Sequence, residues 1–297
     1  MFCYINCIAA SYKTFEVDDK GHFKYFFFSF GASITGWYYC RLVITVDGTF
    51  LTNKYKRTLL SAAAIDGDKY VFPLVLGIVD LENDASWLWF FKQIKCAIRE
   101  REDLVTILDC NHSILKAIMK VYRQADHVIC VLHLYNNVKT KFRHSSIKPL
   151  FNRCVMVYTM KEFEFYMDAL HSINPGIKEY LLHADPFKWA RSHFERKRYN
   201  VMTTNTSECL NAILNIARDR PIVSLVEAYC KVLQQWFFKH RSAGLALESK
   251  LTIWVEIILQ NQEEIARTLR VRELYAIYLF FICLWFVGCN MFHYRSK

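Results

Sequence analysis

Three acids stand out as residues that could do chemistry: Asp47 in "LVITVDGTFL", Asp109 in "LVTILD" and Glu208 in "MTTNTSECLN". Each has an ordinary structural explanation. Asp47-Gly48 reads as a hairpin turn closing a strand. Asp109 reads as an N-cap, satisfying an orphan N–H at a helix start. Asn205 and Glu208 fit a capping box, with Asn at the N-cap and Glu at N3. Taken together they imply more. Two aspartates ending different strands of one sheet converge at its edge, and a glutamate on a later helix completes the cluster. Three carboxylates pressed together repel, so a divalent cation is their natural partner. Hard oxygen ligands favour magnesium or manganese. Two such ions activate a water or a 3′-hydroxyl and stabilise the leaving oxygen at a phosphodiester.

Two basic stretches fit a nucleic-acid track. Residues 139–153, "KTKFRHSSIKPLFNR", hold five Lys/Arg and no acid, among them Lys139, Lys141 and Arg143. Residues 188–198, "KWARSHFERKR", hold five Lys/Arg against one Glu, and end in Arg196, Lys197 and Arg198. Lys and Arg contact phosphates, and aromatics such as Trp189 and Phe194 stack on unpaired bases. Solvated helix faces explain either stretch equally well.

The elements that must position these residues are legible in the patterning. "RLVITVDG", "RTLLSAAAIDG" and "YVFPLVLGIVD" read as three strands, nearly continuous in apolar residues and therefore covered on both faces. Residues 84–100 have the spacing of an amphipathic helix, with Asp84 at its N-cap. A short strand over 104–109, a helix over 111–122 and a strand over 127–132 follow. Beyond residue 145 the segments read as helices. The expected fold class is α/β: a mixed sheet with flanking helices, then a mostly helical insertion and C-terminal region.

At 297 residues, with 53% hydrophobic residues, the chain can bury a substantial core. Its formal charge of +10 points to a polyanion partner. The eleven cysteines form no C-x-x-C pair, which suits buried free thiols in a reducing compartment. Residues 274–292 carry no charge and form an atypical apolar tail, long enough to span a bilayer. They are expected to pack poorly on the core.

Several motifs occur in order. They are "VDGTFL-x-x-KY-x-x-TLL", "FPL-x-x-GIVD-x-END-x-SW-x-WF", "DLV-x-x-x-D", "C-x-x-H" at Cys130 and His133, and "TTN-x-SE-x-LN". This series, from about residue 20 to about residue 265, resembles the transposases of plant Mutator-like elements, the MULE family. The resemblance implies an RNase H-like fold with a DDE triad: Asp47, Asp109 and, as third acid, Glu208. Glu162, Glu164, Glu179 and Glu195 lie in the same interval and stay open for that last role. It also implies Mg2+ or Mn2+ as cofactor, DNA as partner, a possible homo-oligomer and a nuclear location. Cys130 and His133 supply two ligands where structural zinc needs four, so a supporting role beside the acids is expected instead. A membrane partner is not expected.

The sequence departs from the family pattern in places. Leu108-Asp109-Cys110 stands where the family usually has Ser-Asp-Arg. No segment of the sequence reads as the family's amino-terminal DNA-binding region or as its Cys/His module after the core. The expected division is a lead-in over 1–40, a core with the first two acids over 41–145, a helical insertion over 146–200, a C-terminal helical part over 201–265 and the tail over 266–297. The expected function is metal-dependent strand cleavage and joining at terminal inverted repeats by a transposase-derived catalytic domain, whole or truncated. The alternative is a relic that binds or regulates DNA without catalysis.

Overall fold

The computed structural model describes residues 11–109, 111–194, 201–213 and 217–268. The apolar runs of residues 43–79 form the strands β3 (Val43–Phe50), β4 (Thr58–Ile65) and β5 (Val71–Val79), an antiparallel meander. Two strands precede them, β1 (Tyr12–Val17) and β2 (Phe23–Ser29), in a region expected to be only a lead-in. Two short ones follow, β6 (Val105–Leu108) and β7 (Asp126–Ile129). They join one seven-stranded mixed sheet in the order β1-β2-β5-β4-β3-β6-β7. The chain runs parallel only across β3, β6 and β7.

Alternation along the strands sends side chains to two faces. Ile44, Val46 and Leu60 pack with Trp87, Phe90 and Phe91 of α2 (Asp84–Ala97) and with Ile114 and Ile118 of α3 (His112–Val121). A preceding single-turn helix is α1 (Gly31–Gly36). On the opposite face Leu59, Ala63, Leu76 and Ile78 meet Leu210, Leu225, Tyr229 and Leu233. The sheet is thus sandwiched between helices. Trp87, Phe90 and Phe91 are essentially fully buried, each contributing about 1.5–3 kcal/mol.

After β7 the chain is helical: α4 (Val131–Phe142), α5 (Ile147–Met156), α6 (Met160–Ile173), α7 (Pro175–His183) and α8 (Pro186–Trp189). These helices share their own apolar core around Phe151 and Trp189, whose indole N–H donates to the Leu181 carbonyl. Then come α9 (Asn205–Ile213) and the long α10 (Ile222–Leu245), which cover the second face of the sheet. The chain divides into two compact units, Met1–Leu247 and Glu248–Lys297. The described part of the second is the amphipathic helix α11 (Ile253–Thr268), with no buried residue. Among the described residues no helix is long and apolar enough to cross a membrane. The apolar run at 274–292 lies outside them.

Local chemistry differs from the sequence reading at four points. Asp47-Gly48 is not a turn. β3 runs through it to Phe50, with Asp47 paired to Ser61 and Gly48 to Leu60. The reversal comes later, where the Asn53 side chain accepts from the Tyr55 amide. Asp66-Gly67 is the turn that composition suggests, with Asp66 Oδ1 accepting from the amides of Asp68 and Tyr70. The N-cap of α2 is Asn83, in a reciprocal capping box with Ser86, and Asp84 is its first helical residue. Asn111, rather than Asp109, caps α3 by accepting from the Ser113 amide. Asn205 opens α9 as its first helical residue, and the carbonyl before it, on Thr204, takes the amides of Ser207 and Glu208.

Candidate functional site

The register of the parallel pair places two acids side by side. Val43, Ile44 and Thr45 lie opposite Val105, Thr106 and Ile107. Continued two residues on, this register brings Asp47 level with Asp109, the residue just past the end of β6. Ile44, Val46 and Leu108 point into the α2/α3 side of the core. By alternation Asp47 and Asp109 belong to the other face, where α9 lies.

α9 answers with two side chains. Asn211 Nδ2 donates to Asp47 Oδ2 at 2.7 Å. Glu208, one turn earlier on the same side of the helix, lies close enough to raise the pKa of Asp47 electrostatically. Arg218 donates to the Asn211 carbonyl at 2.9 Å and steadies the end of this segment. Burial, first of all, pushes the Asp47 carboxyl up to about 6, and the Glu208 charge adds to it. The Asn211 amide and the His133 charge act in the opposite direction without cancelling the rise.

The helix α4 supplies the third side. Cys130 is its N-cap residue and His133 lies in its first turn, so the C-x-x-H spacing is the spacing from N-cap to N3. His133 Nδ1 lies 3.5 Å from Asp109 Oδ1. The bond to the Cys130 sulfur is the largest of the influences that raise the His133 imidazole to about 9, although burial opposes it; Asp109 and Glu208 add to the rise. Burial would raise the Cys130 thiol, but the bonds from His133 and Thr204 outweigh it and lower its pKa. A helix N-terminus favours the same thiolate. The raised pKa favours a protonated His133 beside Asp109.

Thr204 closes the ring. Its amide donates to Cys130 Sγ at 3.3 Å, and its hydroxyl donates to Glu208 Oε1 at 2.8 Å. Asp109, Glu208, Cys130 and His133 are thus linked by contacts, and Asp47 joins them through Asn211 of α9 and the charges of Glu208 and His133. Other candidates fall elsewhere. Glu162 bonds Thr159 at the start of α6, and Glu164 and Glu179 are exposed on the helical insertion. Lys139, Lys141 and Arg143 are exposed at the C-terminal end of α4, the helix whose first turn carries His133. Glu195, Arg196, Lys197 and Arg198 lie outside the described residues.

Sequence reasoning missed Thr204 and Asn211 as parts of the site. The signal was present: Thr204, Glu208 and Asn211 are spaced four and three residues apart, which puts them on one face of a helix.

Residues 43–137 match the family model described as the MULE transposase domain. The matched segment contains Asp47, Asp109, Cys130 and His133; Glu208 lies beyond it. No curated protein matches the chain.

Proposed function

We propose that the protein is a transposase-derived catalytic domain of RNase H-like fold. It cleaves and joins DNA strands at terminal inverted repeats with a divalent cation, in the nucleus. The observation that carries this reading is the convergence of Asp47, Asp109 and Glu208 on one face of the sheet, beside parallel strands inside the segment that matches a transposase domain. The meander of β3, β4 and β5, extended by the parallel β6 and β7, supports the fold assignment.

The donor set suits magnesium or manganese. Asp47 and Asp109 offer hard carboxylate oxygens level with one another. Among the described residues no three His, Cys, Asp or Glu side chains form a ready-made metal cage. Magnesium does not require one, since it keeps several waters and is held by one or two carboxylates together with substrate phosphates. Asp47 and Asp109 would hold the ion, with Glu208 completing the set once DNA is in place. The ion, when bound, supplies an activated oxygen nucleophile and charge stabilisation at the phosphorus. The chain's own residues do the rest: Asn211 and Thr204 orient the acids, and His133 balances their charge.

A second reading, a relic that binds DNA without cutting it, draws on the bond by which Asn211 occupies one oxygen of Asp47. Manganese titration and terminal-repeat DNA cleavage, compared across wild type, Asp47→Asn and Glu208→Gln, separate the two. The catalytic reading expects ion binding by the wild type, its loss in Asp47→Asn, and cleavage reduced by orders of magnitude in Glu208→Gln. A wild type that binds DNA yet neither binds ion nor cleaves leaves the relic.

A further inference from the structure

Beyond its carbonyl, which takes the amides of Ser207 and Glu208, Thr204 makes four polar contacts through its amide and hydroxyl. The residue is fully buried, as is Cys130. Its amide lies 3.3 Å and its hydroxyl oxygen 3.4 Å from Cys130 Sγ. The same oxygen lies 2.8 Å from Glu208 Oε1 and 3.5 Å from His133 Nδ1. A hydroxyl has one proton and two lone pairs. The shortest contact, to a carboxylate, takes the proton, leaving a lone pair for the His133 Nδ1–H. The amide remains for the sulfur.

This division gives the two ends of Thr204 different tasks. The backbone end fastens the segment before α9 to the start of α4, where the Val131 amide also donates to the Met202 carbonyl. The side-chain end aims Glu208. The carboxylate of Glu208 sits on a flexible stem with three torsions, on a half-exposed turn of α9. Without a partner it has many rotamers to choose from, and only a few turn it toward Asp47.

We infer that Thr204 is the positioning residue of the third acid. Cys130 is its anchor, so the C-x-x-H pair serves to fix Glu208 and Asp109 at a common site rather than to bind zinc. This deepens the catalytic reading and rests on it for the consequence in turnover, while the geometric claim stands by itself. Groups that orient metal-binding side chains are worth about 10- to 100-fold in affinity or activity.

The test uses Thr204→Val, which keeps the amide bond to Cys130 and the branched shape but loses the hydroxyl, and Thr204→Ser, which keeps the hydroxyl. Metal-free crystal structures of wild type and both variants report the Glu208 rotamer. Manganese titration and kcat against KM for terminal-repeat DNA report its consequence. The expected result is a Glu208 carboxylate displaced from Thr204 in the valine variant and restored in the serine variant. Manganese affinity and kcat should fall about 10- to 100-fold with KM unchanged in Thr204→Val, and return to within about threefold in Thr204→Ser. Glu208 holding its wild-type rotamer in Thr204→Val overturns the inference, and so does a serine variant as impaired as the valine one. If wild type neither binds manganese nor cleaves, the proposed function fails. The rotamer comparison then decides the role of Thr204 independently.

Discussion

Asp47 is under two opposed demands. Function asks it to be a carboxylate, whereas its surroundings raise its pKa to about 6, chiefly by burial. The ordinary value is 3.8, so the folded protein holds this proton more tightly than the unfolded chain does. The associated stability is fully present below about pH 3.8 and is lost as pH rises through about 6. At neutral pH the folded state therefore carries the cost of a buried charge. Asp47→Asn removes the charge and keeps an oxygen for Asn211 to bond. It should raise stability at pH 7.5 by about 1–3 kcal/mol and give no gain at pH 3.5, while abolishing manganese binding. Thermal melts at the two pH values check this. An equal or lower melting temperature at pH 7.5 shows that the site's own dipoles fully compensate the charge. His133 has the same sign and a higher window, because its pKa is raised from 6.5 to about 9. Its contribution is complete below pH 6.5 and fades as pH rises through about 9.

At the scale of elements, rigidity behind the acids comes from β5 and α2. A Cβ added to Gly77 of β5 would stand 2.7 Å from Phe90 Cδ2 and 2.8 Å from Cε2 of the same ring. That ring is fully buried between Trp87, Phe91 and Phe27, so it has nowhere to go. Gly77→Ala should destabilise by about 1–3 kcal/mol, read as a lowered urea midpoint with an unchanged slope. At the start of α2, Asn83→Ala removes the capping box with Ser86 and should cost about 0.5–2 kcal/mol. These elements also show what patterning can carry. The three strands of the meander and the helices α2 and α3 were visible as apolar runs and as helical spacing, within a few residues of their ends. Strand β1 escaped because "YKTFEV" is largely exposed at a sheet edge and its alternation is faint, whereas β2, "FKYFFFS", is a buried apolar run that was passed over. The Asp47-Gly48 pair misled, because turn chemistry is a local preference and β4 overrides it by pairing with both residues. Asp109 and Glu208 gave capping signals for a related reason. Acids near helix starts have both uses, and only the tertiary position of Asn111 and Thr204 shows which residue takes the amides. The spacing of Thr204 from Glu208 was visible in the sequence, but its contact with Cys130 arises only once α4 and α9 lie together.

At the scale of the whole molecule, a formal charge of +10 makes phosphate contact the dominant contribution to any DNA affinity, and makes that affinity salt-dependent. The helix α4 gives the charge a direction. His133 in its first turn touches the acid cluster, and Lys139, Lys141 and Arg143 end it on exposed positions. At 1.5 Å per residue, Lys141 is about 12 Å along the axis from His133. On the proposed function, that is the reach of about three phosphates of one strand beyond the scissile one. Lys141 also lies against the Phe142 and Tyr180 rings, with its ammonium 5.5 and 5.0 Å from their centres. The rings steady the side chain without neutralising it. Replacing Lys139, Lys141 and Arg143 together by Ala should therefore weaken DNA binding with little dependence on sequence. It should make the slope of log affinity against log salt shallower by about 2–3, since each phosphate contact contributes about 0.9. Because none of the three touches the acids, turnover at saturating DNA should stay within about twofold of wild type. Binding isotherms from 50 to 300 mM salt decide the matter. A slope unchanged by the triple substitution would mean that the strand leaves the acid cluster along another face, and that the positive end of α4 is only the favourable pairing of cations with a helix C-terminus.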